Sequence, residues 1–156
     1  MSAETATIDL HRQKQKYLHR PEKGEIGDCY RTAIACVLGV PRDSVPHFVE
    51  IYGWDNGDEV YAALLEWLKR ERGMTILRFP IWHFDQGYEI ALSTLLAWNP
   101  NAGRFIFTGT SRNGTLHCVV AHAGEIEWDP AIDNSGIVGP ASDGWFWAEF
   151  IVGVTA

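Results

Sequence analysis

Three residues that stand far apart in the 156-residue chain carry the chemistry of an activated thiol: Cys29, His117 and Asp129. Cys29 follows Asp28, a good N-cap, and so falls on the first turn of a helix predicted over 28–39. Unpaired N–H groups and the positive end of the helix dipole favour thiolate over thiol there and lower the pKa. Cys29, Thr32, Ala33 and Cys36 share one helical face, and side chains that small let the helix pack closely on a sheet. The partners come from a predicted hairpin, 116–121 and 125–129, turning at His122-Ala123-Gly124. A three-residue loop with Gly124 left-handed sorts Leu116, Cys118, Val120, Ile126 and Trp128 onto one apolar face. That register sets His117 opposite Asp129, within reach of an imidazole–carboxylate hydrogen bond. A thiolate nucleophile needs this set: a base beside it and an acid that orients the base. Three ligand types without C-x-x-C or H-x-x-x-H spacing make no zinc motif, so neither metal nor cofactor is expected.

The elements that must position these residues follow from periodicity and breakers. Residues 1–27 are polar and read as an arm lying on one domain, 28–156, with a frayed start. The 28–39 helix is apolar nearly all round and closes at Gly39, so it is expected to be buried. Residues 40–46 form a turn. A second, amphipathic helix is predicted over 57–73, with Val60, Leu64, Leu65, Trp67 and Leu68 inward. A strand at 75–81, a helix at 88–98, a strand at 104–110, the hairpin and a last strand at 145–152 complete the chain. Helices first and strands later give an α+β fold with an antiparallel sheet. Cys36 and Cys118 read as packing thiols, and His47, His83 and His122 as loop residues.

Composition narrows the function classes. The formal charge of −7 disfavours nucleic-acid binding. No stretch nears eighteen apolar residues, so no membrane span is expected, and the opening residues carry no secretory h-region. Three cysteines suit a reduced, cytoplasmic chain better than a disulfide framework. Residues 1–78 hold 11 basic and 12 acidic side chains, whereas residues 79–156 hold 2 and 8. A site built in the second half is therefore expected to be acidic, with anionic substrates the least favoured. The seven tryptophans are scattered, which suits core or cleft lining. Trp82 and Trp145 are the ones expected to line a substrate cleft.

Residues 27–33, continuing through Leu38-Gly39-Val40-Pro41 to Val45-Pro46-His47-Phe48, resemble the nucleophile helix of papain-like cysteine peptidases. The likeness is to the bacteriocin-processing, double-glycine-leader group and its small phage-encoded relatives. Gly114-Thr115-Leu116-His117-Cys118-Val119-Val120 and Trp128-Asp129-Pro130 supply the downstream match, in the family's order of Cys, His, Asp. The resemblance implies that Cys29 is the nucleophile, His117 the base and Asp129 the orienting residue. It also implies a Gln upstream of the Cys that binds the oxyanion. Gln15 is the candidate, with Gln13 the alternative, alongside the Cys29 backbone N–H. The family often has Gly after the Cys, where this chain has Tyr30. No transporter-like segment follows, so export coupling is not expected.

These readings lead to a papain-like thiol hydrolase acting on a peptide, isopeptide or other amide bond of a peptide or protein substrate. Two alternatives stay open: acyl transfer by the same triad, or a non-catalytic, host-factor-binding or inhibitory protein on a peptidase-like fold. The sequence assigns no oligomeric state.

Overall fold

The computed structural model describes residues 7–82 and 87–154. It is an α+β fold with four helices: α1 (Cys29–Leu38), α2 (Phe48–Tyr52), α3 (Gly57–Arg72) and α4 (Tyr88–Trp98). α1, α3 and α4 pack on one five-stranded sheet of β1 (Met74–Trp82), β2 (Phe105–Thr110), β3 (Leu116–His122), β4 (Glu125–Trp128) and β5 (Trp145–Gly153), and α2 packs on α3. The order is β1-β5-β2-β3-β4, and every pairing is antiparallel. α2 is the helix that periodicity missed; five residues are too few to show a period. No helix among the described residues is long and apolar enough to cross a membrane.

Both faces of the sheet are buried. On one, Ala33, Ile34 and Cys36 of α1 and Leu64 and Leu68 of α3 meet Ile76, Ile106, Cys118 and Val120. On the other, Leu92 and Leu95 of α4 meet Phe107, Val119, Ala121, Phe146 and Ala148. The small side chains of α1 let it lie close on β3, and Gly39 (φ 69°) ends the helix in the left-handed conformation that glycine adopts without strain.

The hairpin corrects the expected register. Its turn is the two-residue loop Ala123-Gly124, with both residues left-handed (φ 52° and 82°). His122 then pairs with Glu125, and Ala121 with Ile126. The ladder next shifts by one, so that Val120 pairs with Trp128 and Glu127 is the extra residue of a bulge. The bulge sends Ile126 into the α4 core and Trp128 into the α1 core. Sorting apolar residues onto one face failed because α4 covers the second face as well. Packing there is tight: a Cβ on Gly124 would come within 2.9 Å of Leu96 Cδ2.

Asp28 does not cap α1 with its side chain. The carboxylate is fully buried. Its Oδ1 accepts the backbone N–H groups of Lys16 (2.9 Å) and Tyr17 (2.8 Å), and its Oδ2 accepts Arg31 Nε (3.0 Å). The arm is thereby tied to the start of α1. Upstream, Gln13 Nε2 donates to the carbonyls of Leu10 and Val40, and Gln13 Oε1 accepts Arg42 N–H. Lys14 Nζ donates to the carbonyls of Asp129 (2.9 Å) and Ala131 (2.8 Å), and Gln15 N–H donates to Pro130 O (2.8 Å). The arm is thus a strap from α1 to the loop after β4. His47, expected in a loop, is buried and bonds Ile26 O at 3.0 Å; His122 closes β3 at the surface; His83 and residues 1–6 lie outside the described residues.

Removing the Asp28 carboxylate leaves two N–H groups and a guanidinium without their acceptor. Asp28→Ala should lower stability by about 3 kcal/mol. A urea titration checks it: the midpoint falls while the slope stays unchanged.

Candidate active site

A cavity of about 700 Å³ opens between the arm, α1, α3 and the sheet, and Cys29, His117 and Gln15 all line it. That size holds several substrate groups at once. Cys29 is the first residue of α1 and is partly open to solvent. His117 is the second residue of β3 and is 5% exposed. Asp129 stands just past β4, in the loop that the strap holds down.

The imidazole is oriented from behind. His117 Nε2 lies 2.7 Å from Asp129 Oδ1, which leaves Nδ1 for Cys29. The same Asp129 Oδ1 accepts Ala131 N–H (2.9 Å), and Oδ2 accepts Gly136 N–H (2.8 Å). Burial opposes the ionised carboxyl. The hydrogen bond to His117 and those two backbone bonds nevertheless hold Asp129 below the usual carboxylate range. Burial also works against charge on His117, but hydrogen bonds to Asp129 and Cys29 and the charges of both push it up to about 9.

Cys118 is buried in the α1 core, as a packing thiol would be, and it also lines the cavity. A hydrogen bond from the Cys118 thiol holds Cys29 well below the ordinary thiol range; burial opposes this, and the hydrogen bond and charge of His117 add to it. The partner effect runs the other way. Hydrogen bonding to Cys29, followed by burial, pushes Cys118 well up. Of the two thiols, Cys29 is the one that ionises, because it alone has both the helix start and His117. A thiolate–imidazolium pair held in this way can attack a carbonyl carbon and return a proton to a leaving amine.

Gln15 and Gln13 part company. Gln13 is bonded into the strap and is absent from the cavity wall, whereas Gln15 is 95% buried in that wall. Gln15 Nε2 donates to Tyr17 O, which fixes the amide orientation and leaves a second N–H on that nitrogen. Its Oε1 has no hydrogen-bond partner among the described residues.

Two other expectations shift. Trp82 and Trp145 are the last pair of the β1–β5 ladder; the side chain of Trp82 lies outside what the structure describes, and Trp145 does not line the cavity. Trp54 does, from the loop before α3. The cavity is also not the acidic cleft expected from the charge of the second half. Arg20 and Arg78 line it together with Asp133 and Glu149. Glu149 and Tyr30, which the sequence left without a role, sit in the same wall. A lone carboxylate in the apolar run of β5 was the available signal for Glu149. No group of His, Cys, Asp and Glu among the described residues could hold a metal ion. No family model, curated protein or solved structure matches the chain.

The pKa shifts set a pH window. Cys29, lowered from 9, keeps its thiolate as the pH falls below the range where Cys36, raised by burial, is already protonated. His117, raised from 6.5, stays cationic until the pH passes about 9. Iodoacetamide should therefore alkylate Cys29 rapidly at about pH 6, where an ordinary thiol is almost unreactive. The mass of the modified tryptic peptide checks this. In Asp129→Asn the imidazolium loses its carboxylate, and the alkaline step in the alkylation profile should move below 9.

Proposed function

We propose that the chain is a thiol hydrolase of papain-like arrangement that cleaves a peptide, isopeptide or related amide bond. The reading rests chiefly on one observation. A thiol at the first residue of a helix shares a cavity with an imidazole whose far nitrogen is held by a partly buried carboxylate. The order of Cys29, His117 and Asp129 along the chain and the resemblance of the flanking residues support it.

In this mechanism the Cys29 thiolate attacks the scissile carbonyl carbon. Negative charge moves onto the carbonyl oxygen, where the Cys29 backbone N–H and the second N–H of Gln15 Nε2 receive it. His117, protonated on Nδ1, gives that proton to the leaving nitrogen as the C–N bond breaks, and an acyl-thioester remains on Cys29. Water then enters. His117 takes its proton, the hydroxide equivalent attacks the thioester, and the carboxylic product leaves as the thiolate returns. Asp129 keeps the ring fixed and stabilises its positive charge throughout. Three free cysteines suit a reducing compartment, and we place the protein in the cytoplasm on that ground.

Cys29→Ala should abolish cleavage in a peptide-library digest read by mass spectrometry, and undiminished cleavage would sink the proposal. Gln15→Ala should lower kcat by roughly 10²- to 10³-fold, the usual cost of one oxyanion donor, with little change in KM. An equal rise in KM with kcat unchanged would instead make Gln15 a binding group.

A further inference from the structure

The hydrolytic steps leave one buried charge of the cavity unused. Glu149, on β5, is 3% exposed, and a carboxylate taken from water at that depth is costly unless it is paired. Its pairing is incomplete. Tyr30, the residue after Cys29, donates its O–H to Glu149 Oε2. The nearest cation to Oε1 is Arg78 Nε, its cross-strand partner on β1, at 3.7 Å, beyond hydrogen-bond reach.

Arg78 is equally underused. Its guanidinium stacks on the rings of Tyr61 (5.1 Å) and Trp147 (4.6 Å), and its side chain is 43% exposed. Its N–H groups find no hydrogen-bond acceptor among the described residues. Glu149 and Arg78 both line the cavity that holds Cys29. A spare acceptor and spare donors therefore stand side by side, held rigid by a tyrosine, two aromatic faces and a strand ladder.

We infer that the Glu149–Arg78 pair is a specificity determinant that binds a carboxamide of the substrate, with the amide N–H donating to Glu149 Oε1 and the amide oxygen accepting from Arg78. Other ligand chemistries fit less well. A carboxylate would meet Glu149, and an ammonium or guanidinium would meet Arg78, whereas the pair is neutral as a unit. Val49, Trp54, Val60 and Tyr61 line the same cavity and suit an apolar stem behind the amide. The carboxamide can come from a Gln or Asn side chain or from a main-chain peptide group. The inference rests on the hydrolase reading, because it needs the substrate to reach Cys29.

Peptidyl chloromethyl ketones test it, since they share one electrophile and differ in one side chain. With the wild-type protein, the labelling rate of Cys29 should be about 10- to 100-fold higher for a Gln or Asn probe than for Glu, Lys or Leu probes, the range expected for hydrogen bonds to charged groups. Equal rates for all five, with a loss of that size on N-methylation of the adjoining peptide bond, would assign the site to the main-chain amide instead. Glu149→Gln should erase most of whichever preference is found, and Arg78→Met, at the exposed end of the pair, should do the same. Melting curves of both variants show that the fold persists. Rapid iodoacetamide labelling of Cys29 with neither an amide preference nor an N-methyl effect overturns this inference alone, as does a preference that survives both substitutions. Sluggish iodoacetamide labelling overturns the hydrolase reading and this inference with it.

Discussion

The site hangs on one buried carboxylate that does no chemistry. Asp28 sits immediately before Cys29, and its two oxygens hold the arm through Lys16 and Tyr17 and the helix through Arg31. Two consequences follow from that one anchor. Gln15 is fixed one residue upstream of the anchored stretch and lines the cavity that also holds the thiol. Gln15 N–H and Lys14 Nζ also tether Pro130, Asp129 and Ala131, so the strap steadies the loop that carries the orienting carboxylate. Both flanks of the imidazole–thiol pair therefore depend on how the arm lies. A side chain that caps a helix serves two N–H groups of that helix. This one serves two N–H groups of another segment, and a local helix contact becomes a tertiary clamp.

Charge at the site is shared so that no ion is left alone. The Cys29 thiolate is balanced by the His117 imidazolium, and that cation by Asp129, whose remaining lone pairs go to Ala131 and Gly136 N–H groups. The Cys118 thiol helps to lower the pKa of Cys29, and Cys118 Sγ shares a hydrogen bond with the Thr108 hydroxyl, the two heavy atoms 3.3 Å apart. In a cavity walled largely by apolar groups each of these contacts is stronger than it would be in water. The arrangement also explains why β3 can carry consecutive chemistry-bearing residues. His117 and Cys118 lie side by side on one strand, and the thiol at the start of α1 lines the same cavity as both because α1 packs closely on β3 through small side chains.

Most element boundaries were legible, because α1, α3 and α4 have clear apolar periods or clear glycine stops and each long strand is a β-branched or aromatic run. The juxtaposition of His117 with Asp129 was legible as well, but through an incorrect register. It survived because Asp129 is held by backbone N–H groups of its own loop, beyond the last ladder pair, so a slip in the ladder does not move it. What stayed hidden is non-local. Asp28 as a clamp, Cys118 as a thiol partner and Glu149 as a wall of the cavity each need two segments that local periodicity does not bring together. The left-handed Ala123 was hidden for a different reason: nothing in its side chain favours that conformation, which the two-residue turn requires.

The acidic-cleft expectation failed for a reason that reaches beyond this site. A segment's net charge describes the local field only if the segment stays together in space. Here the sheet interleaves the two halves of the chain, because β5 returns between β1 and β2 rather than adding to an edge. That return sets Glu149 directly across from Arg78, and so a buried carboxylate of the acidic half meets a cation of the balanced half. The arm repeats the effect at the other end of the cavity, where Arg20 arrives already paired with Glu25. The topology, rather than the composition of either half, makes the cavity close to neutral away from the thiol. A neutral wall with spare donors and acceptors discriminates by hydrogen-bond pattern instead of by charge, and hydrogen-bond pattern is what separates one amide-bearing substrate from another.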